Sequence, residues 1–430
     1  MRIHLSALGC RLNEAELEQW AGAFTAAGDK ITAEPSDADV MVLNTCAVTK
    51  EAVRKSRQRV QRLHRANPEA KLVVSGCYSS LESTSALAEL GIDLVVPNTD
   101  KDNLVALTRS EFQQPNMPQS ATTPAETALF QRNRHRAFIK IQDGCRYRCT
   151  FCIVTVARGA ERSRTIQTLV NEVQALSESG VHEVVLTGVH VGGYGSDLNT
   201  DLFTLVSALL EHTEISRIRF ASVEPWDLSD QFFTLFNNPR VQPHMHLPLQ
   251  SGSDTVLRRM ARRCKTADFR QMAETLRAQV PDFNITSDII VGFPGETEQE
   301  WQESINFISE MDFGHIHIFS YSEREGTKAA SLPNQVPKSI RSQRSKELHA
   351  LASNQKHTVL TKMLERNGAR TPLVLWEKGV QLPNGQHQHW GYTPNYLKVT
   401  TTSNQDLANQ LLPTQLSGIE DAVITGRLDF

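Results

Sequence analysis

Residues 138–152 read Phe-Ile-Lys-Ile-Gln-Asp-Gly-Cys-Arg-Tyr-Arg-Cys-Thr-Phe-Cys, a short strand pattern followed directly by a C-x3-C-x2-C turn. Gly144 opens the turn and gives the backbone freedom to fold back. Three thiolates this close together can hold three corners of a [4Fe-4S] cluster, whose ligands are normally four cysteines. The fourth iron then stays open. We therefore assign Cys145, Cys149 and Cys152, the barrel triad, as candidate cluster ligands and catalytic residues.

An iron without a protein ligand can chelate the amino and carboxylate groups of S-adenosylmethionine and reduce its sulfonium. The products are methionine and a 5'-deoxyadenosyl radical. Zinc is the competing interpretation, because clustered cysteines often bind zinc. Structural zinc takes four ligands, and the nearest upstream histidine, His135, lies outside the turn. The spacing therefore favours an iron-sulfur cluster.

The composition indicates a soluble, cytoplasmic protein of two or three domains, since a domain has roughly 100 to 200 residues and the chain has 430. The formal charge of -3 argues against a uniformly basic surface, so any nucleic acid must be bound by local patches. No apolar run approaches the ~18 residues needed to span a membrane, and no signal-peptide pattern opens the sequence. Seven unevenly placed cysteines do not form a secreted disulfide pattern.

The first third of the chain repeats an apolar strand that ends at a cysteine and is followed by helix-favouring sequence. The strand patterns occupy residues 2–10, 40–46 and 71–77. The intervals between Cys10, Cys46 and Cys77, 36 and 31 residues, match β-α-β units. Such units predict a parallel sheet whose strand carboxyl ends share one edge. These three cysteines, the amino-terminal triad, are therefore expected to meet there and hold a second cluster.

Alternatives remain for the residues at this edge. Each cysteine alone could be a buried apolar side chain, because free cysteine is often buried. The shared position of all three favours a cluster, whose open iron could hold an exogenous sulfur species. Asn13 either caps the following helix or contacts that sulfur. The seventh cysteine, Cys264, is expected to be a packed or surface thiol.

From Ala137 onward, six strand patterns alternate with helix patterns and predict a partial (β/α)6 barrel. The strand patterns occupy residues 138–142, 183–186, 217–221, 244–249, 285–291 and 315–320. Active residues of such barrels lie on loops at the strand carboxyl ends. The candidate cofactor-binding residues on these loops are Gly188, Ser222, Glu224, Gln250 and Ser251. A glycine that only turns the chain and a glutamate paired with arginine are the alternatives. His244 and His246 are expected as core or lumen histidines.

The remaining sequence divides the chain into parts. A polar helix pattern at 338–366 precedes β-rich runs that predict a small antiparallel barrel. Trp376, Trp390 and Tyr396 could be core residues, the more frequent role, or platforms for RNA bases. The predicted organisation is a parallel α/β domain at 1–112, a Pro-rich linker at 113–136, the barrel domain at 137–366 and a small β-barrel domain at 367–430.

Two basic segments are candidate contacts for RNA phosphates. The helix pattern after Cys46 carries Arg54, Lys55, Arg57, Arg59, Arg62 and Arg65. A solvated helix face is the alternative for this run. Arg158, Arg162 and Arg164 follow the cysteine turn and could bring anionic RNA to the barrel rim.

Five motifs together resemble the methylthiotransferase family of radical S-adenosylmethionine enzymes, and the resemblance covers the whole chain. They are Gly9-Cys10-Arg11-Leu12-Asn13, Gln142-Asp143-Gly144-Cys145, the segment from Ala157 to Arg164, the loop that ends at Asp254 and the stretch from Asp288 to Glu296. Within the family, residues 221–225 and 391–396 are most similar to the branch that acts on N6-threonylcarbamoyladenosine in tRNA.

The resemblance implies two [4Fe-4S] clusters, S-adenosylmethionine as cofactor, and insertion of a methylthio group at C2 of the modified adenosine next to the anticodon. It also implies tRNA as partner, a TRAM-like RNA-binding domain at the carboxyl terminus, and a low-potential flavodoxin or ferredoxin as electron donor; the sulfur donor is left unassigned. The alternatives are isopentenyladenosine in tRNA or a ribosomal-protein aspartate as substrate. Outside enzymes, the alternative is an iron-sulfur sensor that binds RNA.

Overall fold

The computed structural model describes residues 1–112, 136–367 and 371–428, and begins with a five-stranded parallel sheet of order β2-β1-β3-β4-β5. The strands are β1 (Arg2–Ala7), β2 (Lys30–Thr32), β3 (Val40–Thr45), β4 (Lys71–Gly76) and β5 (Leu94–Val96). The helices are α1 (Arg11–Ala26), α2 (Lys50–Ala66), α3 (Cys77–Leu81), α4 (Thr84–Ala88) and α5 (Leu104–Phe112). This sheet confirms the predicted parallel α/β layer. The predicted linker, apart from Arg136, lies outside the described residues.

Both faces of this sheet are covered, as parallel strands require. On one face Val42 packs in a cluster with Trp20 of α1. On the other face Leu43 packs in a cluster with Val60 and Leu63 of α2. Because side chains fill both faces, ligands can reach the sheet only at its strand ends.

Six parallel strands form the centre of the molecule and confirm the predicted partial barrel. The six barrel strands are β6 (Arg136–Lys140), β9 (Glu183–Thr187), β10 (Arg217–Phe220), β11 (His244–His246), β12 (Asn284–Val291) and β13 (His315–Ser320). Two further short strands are β7 (Gln142–Asp143) and β8 (Arg162–Ser163). Hydrogen bonds give the orders β6-β9-β10 and β11-β12-β13. A parallel bridge between Ser222 and His246 joins the two halves. The short strands β7 and β8 pair antiparallel beside the cysteine turn.

Helices return the chain between the barrel strands, and polar residues begin several of them. They are α6 (Val154–Arg158), α7 (Ile166–Glu178), α8 (Leu202–His212), α9 (Asp230–Phe233), α10 (Asp254–Arg259), α11 (Thr266–Gln279), α12 (Glu298–Glu310) and α13 (Lys338–Asn367). Asp201 accepts a hydrogen bond from the backbone N–H of Thr204, at 2.8 Å, and so caps α8. Thr297 and Glu300 form a capping box at the start of α12. These caps fix where each helix begins after its loop.

A curled seven-stranded sheet completes the described chain. Its strands are β14 (Leu373–Trp376), β15 (Val380–Gln381), β16 (His387–Tyr392), β17 (Lys398–Ser403), β18 (Leu411–Pro413), β19 (Gln415–Glu420) and β20 (Val423–Arg427). The strands β16 and β17 are joined by a turn in which Tyr396 has a φ of 65°. Most pairs are antiparallel as predicted, but β17 and β20 run parallel. Trp376 is fully buried in the core of this sheet.

None of the helices within residues 1–112, 136–367 and 371–428 is both long and apolar enough to cross a membrane.

Candidate functional site

The barrel triad lies on a turn that the rest of the barrel holds in place. The backbone N–H of Cys145 donates to the carbonyl of Gly159 at 3.1 Å, and that of Cys152 donates to the carbonyl of Cys149 at 3.0 Å. Burial raises the pKa of Cys145 to about 12 and the pKa of Cys152 to about 11. The protein alone therefore favours thiols here, and a bound metal would supply the positive charge that thiolate ligands need.

A carboxylate clamp beside Cys145 was missed by sequence reasoning. The His190 ring lies between two acids: Nδ1 is 2.5 Å from Glu161 and Nε2 is 2.7 Å from Asp227. Cys145, Glu161 and His190 each place a potential ligand atom within 4.8 Å of the others. Both ring nitrogens of His190 are already bonded to carboxylates, so this group fits a rigid wall of the site better than a zinc centre. The sequence around His190, Thr187-Gly-Val-His190, does not indicate that this histidine pairs with Glu161 and Asp227.

Glu224 is the predicted site residue whose surroundings best fit a cationic ligand. Its Oε2 is buried and has no hydrogen-bond partner among the described residues, and it lies 3.8 Å from Nε2 of His190. Burial raises the pKa of Glu224, and the charges of His190 and Arg262 oppose that rise. A buried acceptor without a partner is costly. The amino group of S-adenosylmethionine, placed against the barrel triad, would satisfy it.

The other predicted cofactor-binding residues lie in different settings. Gly188 and Ser222 line a large cavity that the barrel shares with the first and last sheets. Gln250 is half-buried with a φ of 81°, and its backbone bonds to β12. The Ser251 hydroxyl is buried and lies 3.2 Å from the hydroxyl of Ser304 on α12. Gly188 and Ser222 therefore face the cavity, whereas the Ser251 hydroxyl is engaged in hydrogen bonds with Ser304 and with the backbone N–H of Ser253.

The structure gathers the amino-terminal triad at the carboxyl edge of the first sheet. Cys10 is the N-cap residue of α1, Cys46 follows β3, and Cys77 begins α3 directly after β4. Burial raises the pKa of Cys46 to about 11, and the nearby Cys10 and Cys77 raise it further. Gly9 packs so closely on Cys46 that an added Cβ would lie 2.8 Å from its sulfur. Three adjacent sulfur donors fit a cluster at this edge.

Arg158 connects the two triads and does not face RNA. It is buried, and it lies 3.0 Å from Glu16 of α1 and 2.9 Å from Asp143. It also donates to Oδ1 of Asn13 at 2.8 Å. The prediction that Arg158 brings RNA to the rim is therefore wrong, because its guanidinium forms ion pairs with two buried acids. Arg162 is exposed.

Asn13 lies inside α1 and is not its cap. Its amide donates to the carbonyl of Leu8 at 2.6 Å and to that of Thr45 at 3.1 Å. Its Oδ1 lies 3.8 Å from the sulfur of Cys10. The side chain thus holds together the ends of two sheet strands beside the amino-terminal triad, which explains its complete burial.

A cavity of about 750 Å³ lies where the three parts of the molecule meet. Cys10 reaches it from the first sheet, Gly188 and Ser222 from the barrel, and Tyr396 from the last sheet. His244 and His246 also line it, in agreement with a lumen position. The cavity is large enough for a nucleoside-sized ligand. A ligand inside it would touch the amino-terminal triad and the barrel rim together.

The basic run on α2 is partly committed to local partners. Arg54 bonds to Glu51, Arg57 bonds to Tyr78, and both guanidinium groups are largely exposed. Local ion pairs on exposed helices contribute little stability and can exchange for phosphate contacts. The role of this face in RNA binding stays a prediction.

Two family models and named relatives match this chain. The Radical SAM superfamily model matches residues 139–308, and the model of the uncharacterized protein family UPF0004 matches residues 2–97. The threonylcarbamoyladenosine tRNA methylthiotransferase MtaB of Bacillus subtilis (strain 168) is 34% identical over 95% of this chain and 92% of its own length. The tRNA-2-methylthio-N(6)-dimethylallyladenosine synthase of Caldicellulosiruptor saccharolyticus is 35% identical over 80% of this chain and 76% of its own.

A solved structure shares the fold. The radical S-adenosylmethionine methyltransferase TsrM from Kitasatospora setae, with cobalamin and a [4Fe-4S] cluster bound, has a TM-score of 0.57 and 12% identity. The match covers 76% of this chain and 77% of that chain. At this identity the likeness supports the architecture alone.

Proposed function

Because the chain belongs to the family of radical S-adenosylmethionine methylthiotransferases, we propose that it inserts a methylthio group at C2 of N6-threonylcarbamoyladenosine in tRNA, next to the anticodon. The observation that carries this proposal is the cavity that Cys10 shares with Gly188 and Ser222. It lets one adenosine reach a sulfur-carrying site and the rim of a radical-generating barrel at the same time.

The two cysteine triads are proposed to hold the cofactors. Cys145, Cys149 and Cys152 would bind one [4Fe-4S] cluster, and Cys10, Cys46 and Cys77 would bind the second. When bound, these clusters supply the reducing electron for cleavage of S-adenosylmethionine and an open iron for sulfur.

The chain's own residues are proposed to orient the ligands. Glu224 accepts a hydrogen bond from the amino group of S-adenosylmethionine, and the His190 clamp fixes the wall behind Cys145. Gly188 and Ser222 border the path of the adenosine, and Gln250 and Ser251 shape the loop beyond β11. Burial among these groups keeps water away from a reactive radical.

The remaining parts of the proposal concern organisation and partners. Residues 1–112 would form the domain of the second cluster, 137–366 the radical domain and 367–430 a TRAM-like RNA-binding domain, with a linker at 113–136. The protein would act in the cytoplasm. A low-potential flavodoxin or ferredoxin would deliver electrons.

Dimethylallyladenosine in tRNA is the second candidate substrate, because synthases of its methylthio form are similar to this chain at 35% identity. Mass analysis of tRNA nucleosides from a deletion strain separates the two. We expect loss of the methylthio form of threonylcarbamoyladenosine, restored by the wild-type gene and not by a gene carrying Cys145→Ala. An unchanged level of that nucleoside in the deletion strain would refute the preferred substrate.

Cleavage of S-adenosylmethionine separates the enzyme from an iron-sulfur sensor. Anaerobically reconstituted protein with reductant should release 5'-deoxyadenosine. A protein with full clusters and no such product would be a sensor.

A further inference from the structure

The cavity wall carries more positive than negative charge, although the chain as a whole is acidic. Arg11, Lys356 and Lys398 line it. Among the described residues that line the cavity, Asp288 is the only carboxylate, and it lies 3.1 Å from Nε2 of His246. Because Asp288 is engaged by His246, the positive charges of the cavity lining have no other carboxylate among the described lining residues to neutralise them, which favours an anionic ligand.

Arg11 is free to receive an anion. Its contacts within residues 1–112, 136–367 and 371–428 are to aromatic residues: it donates to the hydroxyl of Tyr396 at 2.9 Å and lies 5.6 Å from the Phe138 ring. Two neighbouring arginines are committed instead. Arg219 bonds to Glu183 through two nitrogens, and Arg136 lies 2.6 Å from Glu377. A guanidinium has five N–H donors, so most of those on Arg11 remain for a ligand.

Lys356 supports the same reading from another part of the chain. It projects from α13 into the cavity and is half-buried. Burial lowers the pKa of Lys356, and the charge of Lys398 lowers it further. The cations of Lys356 and Lys398 both line the cavity and repel each other, and an anion bound near Lys356 would offset that repulsion.

The position of Arg11 in the chain places its positive charge next to the amino-terminal triad, where C2 of the adenine must react. Arg11 directly follows Cys10 of the amino-terminal triad. In adenine, C2 and the N6-bearing carbon C6 flank N1, so C2 and an N6 substituent lie along one edge of the base. A substituent held by Arg11 would therefore turn C2 toward the triad.

We propose that Arg11 and Lys356 form a subsite for the carboxylate of the threonylcarbamoyl group, and that this subsite selects an acidic N6 substituent over an apolar one. The inference rests on the proposed function and names the residues that set its substrate. Charge-assisted hydrogen bonds from a guanidinium are among the strongest available to a carboxylate. A dimethylallyl group has no charge to satisfy them.

Binding of three anticodon stem-loop RNAs to the reconstituted holoprotein tests this subsite. The RNAs carry threonylcarbamoyladenosine, its neutral methyl ester, or dimethylallyladenosine, and dissociation constants are measured by fluorescence anisotropy at fixed salt. Wild type should bind the acid about tenfold or more tightly than the ester. Arg11→Gln and Lys356→Gln should reduce that ratio toward one, and Arg11→Lys should keep part of it. Lys346→Gln, exposed on the same helix, is the matched control.

Two results would overturn the subsite. Equal affinity of wild type for the acid and the ester is one. The other is a loss in Arg11→Gln that is the same for all three RNAs, because it would assign Arg11 to backbone phosphate. Methylthio transfer is measured by mass spectrometry on the same RNAs. Acid preference without transfer to the acid would support the subsite and refute the proposed function.

Discussion

The guanidinium of Arg158, just after the cysteine turn of the barrel, donates a 2.8 Å hydrogen bond to Oδ1 of Asn13, three residues after Cys10. The same guanidinium pairs with Glu16 of the first sheet's helix and with Asp143, which precedes the barrel triad. One buried side chain therefore fixes the position of the amino-terminal triad relative to the barrel triad. A shift of either segment would leave a buried charge without its partner.

Arg158→Met should destabilise the protein strongly. It leaves the buried carboxylate of Asp143 without its closest cation, and breaking a buried pair costs about 3–5 kcal/mol. Thermal unfolding monitored by circular dichroism would show a fall in melting temperature. Arg162→Met, four residues on and exposed, should leave it nearly unchanged. Equal effects of the two changes would contradict the buried role of Arg158.

Iron content should divide equally between the two triads. Each [4Fe-4S] cluster holds four irons, so reconstituted wild type should contain about eight irons per chain. Replacing the three cysteines of either triad by alanine should leave about four. Cys264→Ala is the control, because this buried thiol contacts the carbonyl of Lys265 and neither triad. A triple variant of the amino-terminal triad that keeps about eight irons would exclude a cluster there.

Gly144→Ala should disrupt the cysteine turn, and Gly180→Ala, just after α7, should not. Both glycines have a positive φ, 74° and 87°. A Cβ on Gly144 would lie 1.9 Å from the carbonyl oxygen of Ala160, whereas a Cβ on Gly180 meets nothing within 4 Å. Alanine at a positive φ costs about 1–3 kcal/mol in both variants, but only Gly144→Ala must move the turn. Iron content after reconstitution measures the difference, and equal iron in both variants would count against it.

Glu224→Gln should weaken the binding of S-adenosylmethionine. The change removes the charge of a buried acceptor, and a hydrogen bond to a charged group contributes about 1.5–3 kcal/mol, or roughly 10- to 100-fold in affinity. Titration calorimetry on the anaerobic, reconstituted protein would measure this. Asp230→Asn, an exposed acid of α9, serves as the control. Unchanged affinity in Glu224→Gln would show that this carboxylate does not contact the amino group.

Glu183 should make the protein more stable at neutral pH than in acid. Burial acts to raise its pKa, but Arg219, Arg136 and Arg217 together lower the pKa to about 2. Because that value lies below the unfolded pKa of about 4.3, its stabilisation, on the order of 3 kcal/mol, is present above pH 4.3 and is lost as pH falls toward 2. Melting temperatures between about pH 6 and pH 3 should therefore fall less steeply in Glu183→Gln than in wild type. Glu178→Gln, exposed on α7, should follow wild type; a Glu183→Gln curve parallel to wild type would contradict the assignment.

Local sequence patterns were enough to predict the strands and the sheet edge at which Cys10, Cys46 and Cys77 meet. The six barrel strands and the three cysteines at strand ends follow from apolar runs, helix-length intervals and the rule that parallel strands end at one edge. What could not be predicted was which distant charges meet. Lys101 lies 2.6 Å from Glu16 in the interior, although 85 positions separate them, and each reads in sequence as a surface residue. Arg158 was misassigned for the same reason.

The turn that carries Tyr396 shows a similar limit. Its sequence, Thr393-Pro-Asn-Tyr396, indicates a turn, but not that the ring stacks on Tyr392 and lies 4.8 Å from His244 of the barrel. These contacts depend on how the last sheet docks, and docking is set by shape across three parts of the chain. Tyr396 packs against aromatic rings, as a core role predicts, and also lines the cavity; its role as a platform for RNA bases stays a prediction.

The contact between Arg11 and Tyr396 joins residues 385 positions apart. During synthesis the amino-terminal parts of a chain fold first, at about 5–20 residues per second. The strands of the first sheet and of the barrel are synthesised before β16 and β17, so the cavity gains its final wall only when the last sheet docks. A chain that ended before β16 would contain both cysteine triads and would lack the wall that Tyr396 gives to the cavity.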